Sequence, residues 1–374
     1  MSANKPMTKF LIALAIFALL FCSACFSSYD PESTDHLQPA VYSASFSPTE
    51  ASIVFTMFNY DCGGIFLMDY QGRVLQWLVR TTGPLRLASP VFSPDGKKIA
   101  FVSSSKESHG DLYLMDRDGQ NLVQLTSGPD HDRQPCFSSN GRTIYFLRHD
   151  RGGIYPVFDQ RSSWHGDVYQ VGVHTKQVRR VTHQDYYRLW TLAVFPDNRH
   201  LLLGTTHYQT RTAETGHDLW KVDSRDPGKA WPVEPNLKPF APDPRSHFVG
   251  PPFYIQIHSP TLSRDGRFLA FAWSNPLPGK SSCLFPCDQT FLTELADRRT
   301  EKLTALPAGS DPQDISPDNR LVLVSNQAQM KESPKGVFSR SNLWMVKRDG
   351  TGLKNLKLDF RGVLDKPPTP VRLP

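Results

Sequence analysis

One ten-residue pattern of apolar and polar positions recurs along the chain. An apolar residue is followed by Ser-Pro-Asp-Gly or a variant of it, two polar residues and three apolar residues, most clearly in FSPDGKKIAF at residues 92–101. Such a pattern predicts the end of a strand, a tight Asp/Asn-Gly-type turn and a second strand. The other copies begin at Phe46, Phe137, Val194, Leu262 and Ile315.

A second pattern follows each copy of the first. Its clearest form is DLYLMDRDGQNLVQLT at residues 111–126, where apolar and polar residues alternate around a central turn. This alternation predicts another hairpin. Related stretches begin at Ile65, Asp167, Asp218, Thr290 and Asn342. Two hairpins per unit give four strands, and the sequence contains six units.

The spacing of the units indicates the fold class. Successive copies of the first pattern lie 45 to 68 residues apart. Four strands per unit, with a period of about 40 to 50 residues plus insertions, are typical of a β-propeller. The sequence therefore predicts an all-β protein, a six-bladed β-propeller of four-stranded antiparallel blades. The 31 Pro and 24 Gly suit such a turn-rich chain.

The combined motif SPDG…IAF…GDLYLMDRDG…QLT resembles the blade repeat of TolB-like propellers. The resemblance covers roughly residues 40–357 and is strongest in the second and third units. TolB also carries an α/β domain before its propeller, for which we expect no counterpart here. The resemblance thus implies the propeller part alone, and contacts made by that other domain are not carried over.

The N-terminal residues resemble an export signal. Lys5 and Lys9 precede the apolar run Phe10–Phe21, which is shorter than the about 20 residues of a membrane-spanning helix. Ser23-Ala24 before Cys25 resembles a bacterial lipobox, although Cys22 stands where Leu is usual. Cys25 is therefore the predicted lipidation site; a plain secretory signal and an uncleaved anchor remain alternatives.

These features divide the chain into four parts. We expect a lipoprotein-type signal peptide at 1–24, a tether at 25–39, the propeller at 40–357 and an irregular tail at 358–374. The implied location is the cell envelope, on the periplasmic side or the cell surface, with the membrane contacted through the lipid.

Connection lengths predict two different faces of the propeller. With the strands of each blade named A to D, the short A–B and C–D turns lie on one face, here called the turn face. The B–C and D–A connections form the opposite loop face, and they hold the long insertions, where binding residues usually lie. These insertions are 147–166, 205–217, 272–289 and 325–341, with 236–257 as the longest D–A connection.

One loop-face segment is the strongest candidate for contact with a partner. Tyr186, Tyr187, Arg188 and Trp190 follow one another between the third and fourth units. Tyr, Trp and Arg are the residue types that dominate interface energetics. The same residues would also suit packing between loops, and that alternative stays open.

The net charge and the absence of catalytic sequence motifs exclude several classes of function. The net charge of +6 is spread along the chain without a Lys/Arg-rich block, so we expect no nucleic-acid partner. The sequence contains no Gly-x-Ser-x-Gly, Walker A, Gly-x-Gly-x-x-Gly or His-Glu-x-x-His motif. We therefore expect a binding or scaffold module for an envelope protein or polysaccharide, without a cofactor.

The alternative is an enzyme. Some propellers that resemble this repeat are polysaccharide lyases holding one divalent metal ion with several His and a Gln. In this sequence the matching candidates are His207, His217, His258 and Gln256, although no linear motif fixes their spacing. Neutral imidazoles suit a transition metal.

The other cysteines allow one short disulfide loop. An exported chain meets an oxidising compartment, so Cys283 and Cys287 are a candidate pair, with two independent thiols as the alternative. Their Cys-x3-Cys spacing has no second Cys pair that would complete a zinc site. The pairing of Cys62 and Cys136 stays open.

Overall fold

A computed structural model of the 374-residue chain gives the architecture. It describes residues 40–58, 62–82, 85–104, 110–149, 165–187, 189–205, 218–233, 235, 257–274, 288–306, 309–333, 336–363 and 368. These residues form six antiparallel sheets and contain no helix. The prediction of an all-β, six-bladed propeller is confirmed.

Each blade is built from consecutive strands. Blade 1 comprises β1 (Ala40–Phe46), β2 (Ser52–Phe58), β3 (Cys62–Asp69) and β4 (Val74–Thr82). Blade 2 comprises β5 (Arg86–Phe92), β6 (Lys98–Ser104), β7 (Asp111–Asp116) and β8 (Val123–Gln124). Blade 3 comprises β9 (His131–Phe137), β10 (Thr143–His149), β11 (His165–Gly172) and β12 (Val178–Arg180), and the short β13 (Tyr186–Tyr187) also pairs with β11.

The last three blades follow the same order. Blade 4 comprises β14 (Thr191–Val194), β15 (His200–Thr205), β16 (Asp218–Asp223) and β17 (Asp226–Pro232). Blade 5 comprises β18 (Ile257–Leu262), β19 (Phe268–Ser274), β20 (Asp288–Glu294) and β21 (Arg299–Lys302). Blade 6 comprises β22 (Asp311–Ile315), β23 (Leu321–Ser333), β24 (Gly336–Lys347) and β25 (Lys354–Asn355).

The repeated Ser-x-Asp-Gly turn closes each A–B hairpin through a small hydrogen-bond network. In blade 2 the Ser93 hydroxyl donates to the Asp95 carboxylate at 2.6 Å and accepts from the Lys98 amide at 2.9 Å. Gly96 supplies the positive φ of +70° that the turn requires. Blade 5 repeats the network with Ser263 and Asp265. A local motif of four residues therefore suffices to set the hairpin register.

The hydrophobic core lies between the blades rather than inside any one of them. In β2, Ile53 and Phe55 pack toward blade 6, whereas Val54 between them packs toward blade 2. Because strand side chains alternate between the two faces of a sheet, every blade buries apolar residues on both faces. Six such clusters link the six blades into a closed ring.

Among the described strands, the ring closes without exchange between its first and last blades. After β25 the chain runs along blade 1, where the Asp359 amide donates to the Gly72 carbonyl at 2.9 Å and the Val74 amide donates to the Asp359 carbonyl at 2.8 Å. Phe360 packs edge-on against Phe66 at 5.6 Å between ring centroids. Residues near the start of the predicted tail thus fasten blade 6 to blade 1.

We expect Phe360→Ala to lower the free energy of unfolding by about 3 kcal/mol, because Phe360 is 5% exposed and its removal leaves a cavity at the ring closure. Chemical denaturation monitored by circular dichroism measures the change. Leu353→Ala is the matched control, since Leu353 is 36% exposed and should change stability by less than about 0.5 kcal/mol. Equal effects of the two substitutions would contradict the closing role of Phe360.

Candidate functional site

The six A strands surround a central channel. Residues of β1, β5, β9, β14, β18 and β22 line a cavity of about 540 Å³ along the axis of the ring. Its lining combines apolar residues such as Val91, Phe92 and Leu192 with hydroxyl and amide side chains from several blades. Such a cavity is large enough for a small ligand or a short extended segment.

Bulges in the A strands shape the wall of this channel. Ser89, Gln134 and Ser259 adopt φ values of 48° to 50°, each directly before a proline, and the strand register shifts at each position. A β-bulge bends its strand and re-aims side chains. All three residues line the channel. The sequence analysis did not identify them. An available signal was a polar residue followed by Pro, with the polar residue four positions before the Ser of the Ser-x-Asp/Asn-Gly turn motif.

An acidic and a basic side chain lie at the turn-face end of the channel. Asp314 Oδ2 accepts hydrogen bonds from the Ser45 hydroxyl and the Phe46 amide, both at 2.8 Å. Arg264 spans from blade 5 to blade 1, where its Nη2 donates to the Phe46 carbonyl at 2.7 Å. Burial raises the pKa of Asp314, and the charge of Arg264 opposes that rise. These two residues tie three blades together at this end of the channel.

Cys136 on the channel wall is a free thiol. Burial raises its pKa to about 11. The thiolate is the reactive form of cysteine, so this thiol is not activated as a nucleophile at neutral pH. Because the thiol is free, the question of disulfide pairing that the sequence left open is answered for Cys136.

A buried charged cluster lies at the loop-face end of blades 2 and 3. Arg148 donates to both oxygens of Asp132, with Nε–Oδ1 at 2.6 Å and Nη2–Oδ2 at 2.8 Å. Its guanidinium also stacks on Phe146 and Tyr169. Burial, together with the negative charge of Asp132, raises the pKa of the nearby Asp111 to about 6. This cluster joins strands of different blades, and the sequence analysis did not identify it.

Asp167 occupies in blade 3 the place that Asp111 has in blade 2, at the loop-face end of strand C. It accepts hydrogen bonds from the Thr182 hydroxyl at 2.5 Å and the Gln184 amide at 3.0 Å, and it forms an ion pair with Arg180. Asp167 therefore fixes the connection from blade 3 to blade 4. That connection carries the predicted contact residues.

The structure brings Tyr186 and Trp190 to the junction between blades 3 and 4. Tyr186 is half-buried against the apolar cluster of that junction, and burial raises its pKa. The Trp190 indole lies close over Gly204, where an added Cβ would be 2.8 Å from its Nε1. Tyr187 pairs with His165 through the main chain. The side chain of Tyr187 and all of Arg188 lie outside the described residues, and the contact role of the four residues stays a prediction.

Most of the other predicted site residues lie outside the part of the chain that the structure describes. These are Cys25, Cys283, Cys287, His207, His217 and Gln256, whereas His258 is described only as a main-chain position on β18. Among the described residues no group of three or more His, Cys, Asp or Glu side chains could hold a metal ion. Within the same residues there is no apolar helix of membrane-spanning length.

Comparison with known proteins places the chain in a family. The model of the TolB beta propeller domain matches residues 29–216. The chain therefore belongs to the TolB β-propeller domain family, which confirms the resemblance noted in its repeats.

Solved structures share the fold at low sequence identity. TolB from Acinetobacter baumannii has a TM-score of 0.54 at 17% identity, over 85% of this chain and 62% of that protein. This chain thus spans less than two thirds of the length of that TolB. An oligogalacturonate lyase from Vibrio parahaemolyticus has a TM-score of 0.52 at 11% identity, over 85% of this chain and 78% of the lyase. An oligogalacturonate lyase in complex with manganese also has a TM-score of 0.52 at 11% identity, over 85% of this chain and 84% of the lyase.

The buried Asp111 predicts a pH dependence of stability. Because its folded-state pKa is about 6 and an unfolded Asp has a pKa of about 4, the folded protein holds an extra proton between these values. The free energy of unfolding should therefore fall as pH rises from about 4 to 6, by on the order of 2 kcal/mol.

Asp111→Asn should reduce this slope by about that amount, because the amide has no proton to lose, and should raise the free energy of unfolding at pH 7. The buried Asp314, whose pKa is also raised, keeps a residual slope of the same sign. Urea denaturation at a series of pH values measures both quantities. Asp297→Asn is the control, since Asp297 is exposed on the turn face. A slope that is unchanged in Asp111→Asn would show that other groups cause it.

Proposed function

We propose that this protein is a recognition and scaffold module of the cell envelope, which binds a protein partner or an envelope polymer at its loop face. The observation that carries the proposal is the rigid six-bladed ring of the TolB propeller family, whose central channel is lined by all six blades. Ligands of such scaffolds bind where loops meet a rigid frame.

The binding residues we propose are Tyr186, Tyr187, Arg188 and Trp190. Two features support them: the strand pairing of β13 with β11, and the hydrogen bonds of Asp167 that hold the preceding connection. Side chains that are already ordered lose little conformational entropy on binding. Partial burial of Tyr186 and Trp190 is compatible with aromatic anchors that expose one edge.

The proposed location follows from the family and the N-terminal sequence. The TolB relatives support an envelope protein, and we propose export with lipid attachment at Cys25. Binding at the loop face depends on shape and on a few anchors, and we propose that it needs no cofactor. The lyase relatives share the fold at 11% identity, which gives no support for their activity in this chain.

A crosslinking experiment tests the proposed contact. A photoreactive residue at the exposed His183 should give a discrete adduct in intact cells, identified by mass spectrometry. Replacing Tyr186, Tyr187, Arg188 and Trp190 by Ala should reduce that adduct at least tenfold, because aromatic and Arg anchors carry most interface energy.

The matched control replaces Trp231, Arg298 and Arg299, which are exposed away from the loop face, by Ala. This variant should retain the adduct. An adduct of unchanged yield in the four-residue variant, with its fold intact by circular dichroism, would refute these residues as the contact.

Metal analysis separates binding from metal-dependent catalysis. We expect the purified protein to contain far less than one equivalent of transition metal, and its melting temperature to be the same before and after chelation. A near-stoichiometric metal whose removal lowers the melting temperature would contradict the proposal and direct attention to His207, His217, His258 and Gln256.

A further inference from the structure

Arg80 is a buried cation that has no counter-ion among the residues the structure describes. Its side chain lies near the loop-face end of β4 and only 6% of the residue is exposed. Its Cζ lies 5.7 Å from the centre of the Trp77 ring, and its Nε is buried without a hydrogen-bond partner. No carboxylate of the described residues forms an ion pair with it. Arg80 thus lies over the Trp77 ring, and its Nε–H is available to donate a hydrogen bond.

The platform beneath Arg80 is rigidly built. The Trp77 indole Nε1 donates to the Val79 carbonyl at 2.8 Å, and the ring stacks on Phe66 at 5.2 Å between centroids. Gly64 makes room for it, because a Cβ at that position would lie 2.3 Å from the indole nitrogen. The site therefore depends on one glycine and one tryptophan that fit each other.

The repeat shows that blade 1 lacks a carboxylate close to Arg80. Aligning FLMD of blade 1 with YLMD of blade 2 places Gly64 where blades 2 and 3 carry Asp111 and Asp167. Arg80 lies directly opposite Gly64 in the strand register of blade 1. In blade 3 the corresponding Asp167 forms an ion pair with Arg180, although Arg180 lies at a different register position.

A second arginine of the same protein shows what completes such a site. Arg148 also stacks on aromatic rings at the loop-face end of its blade, and a bidentate contact with the Asp132 carboxylate neutralises it. An arginine cannot shed its proton at neutral pH, and an unpaired buried charge is costly. By comparison, the site at Arg80 lacks the carboxylate that Asp132 provides for Arg148.

We propose that Arg80 and Trp77 form a binding site for a carboxylate group supplied from outside the blade. The guanidinium presents a planar fork that fits both oxygens of a carboxylate, and the ring beneath it fixes the plane of that fork. The bound carboxylate would take the role that Asp167 has for Arg180. This site lies on blade 1, away from the junction of blades 3 and 4, and does not depend on the proposed partner contact.

Acetate, the simplest carboxylate, tests the site in the full chain. At pH 7 and constant ionic strength, replacing chloride by acetate should raise the melting temperature saturably, by about 2 °C at ten times the dissociation constant, because a ligand of the folded state stabilises it. Arg80→Met should abolish the saturable rise. Arg298→Met, which removes an exposed arginine on the turn face, should leave it unchanged.

Two further arms keep the result decisive. Arg80→Lys retains the charge but loses the fork, and should weaken acetate binding at least threefold even if Arg80→Met does not fold. Inorganic phosphate should stabilise the protein less than acetate at equal concentration. No saturable acetate effect in the wild type, an equal effect in the Arg80 variants, or a preference for phosphate would each overturn the assignment.

Discussion

Packing between neighbouring blades is the interaction on which the rest of this structure depends. Each sheet is apolar on both faces, so no blade has a core of its own, and all six are stable only as a ring. The last interface, between blades 6 and 1, shares no strand among the described residues. It relies on side-chain packing, on the two main-chain hydrogen bonds at Asp359 and on the hydrogen bonds from Ser45 and Phe46 to Asp314. The channel and both faces keep their geometry only while that interface holds.

Local sequence was sufficient to predict the hairpins, because each turn is determined by residues within five positions of one another. Ser93, Asp95 and Gly96 close their hairpin by themselves. The sites could not be predicted in the same way. Asp314 meets Ser45 from 269 positions away, and Arg148 meets Asp132 only once β9 and β10 have paired. Such pairs arise from ring closure and strand register, which no short pattern encodes.

The repeat is most informative where it fails. Residues at equivalent positions of the blades usually have the same structural role. A residue that differs from its equivalents in the other blades therefore indicates a different role at that position. Arg264 stands where blade 2 has Pro94, and it reaches blade 1 across the channel. Gly64 stands where two other blades have an aspartate, and Trp77 fills the space. Sequence alone reveals both departures, but only the structure relates each to its neighbours.

The direction of β1 has a consequence for how the protein is suspended. The strand starts at Ala40 on the loop face and ends at Phe46 on the turn face, and its residues Ser43, Ala44 and Ser45 line the channel. The first described strand therefore begins on the loop face, in the innermost position of blade 1. With the lipid attachment that we propose at Cys25, a membrane anchor would join the propeller on its loop face. A partner bound there would then lie between the propeller and the membrane.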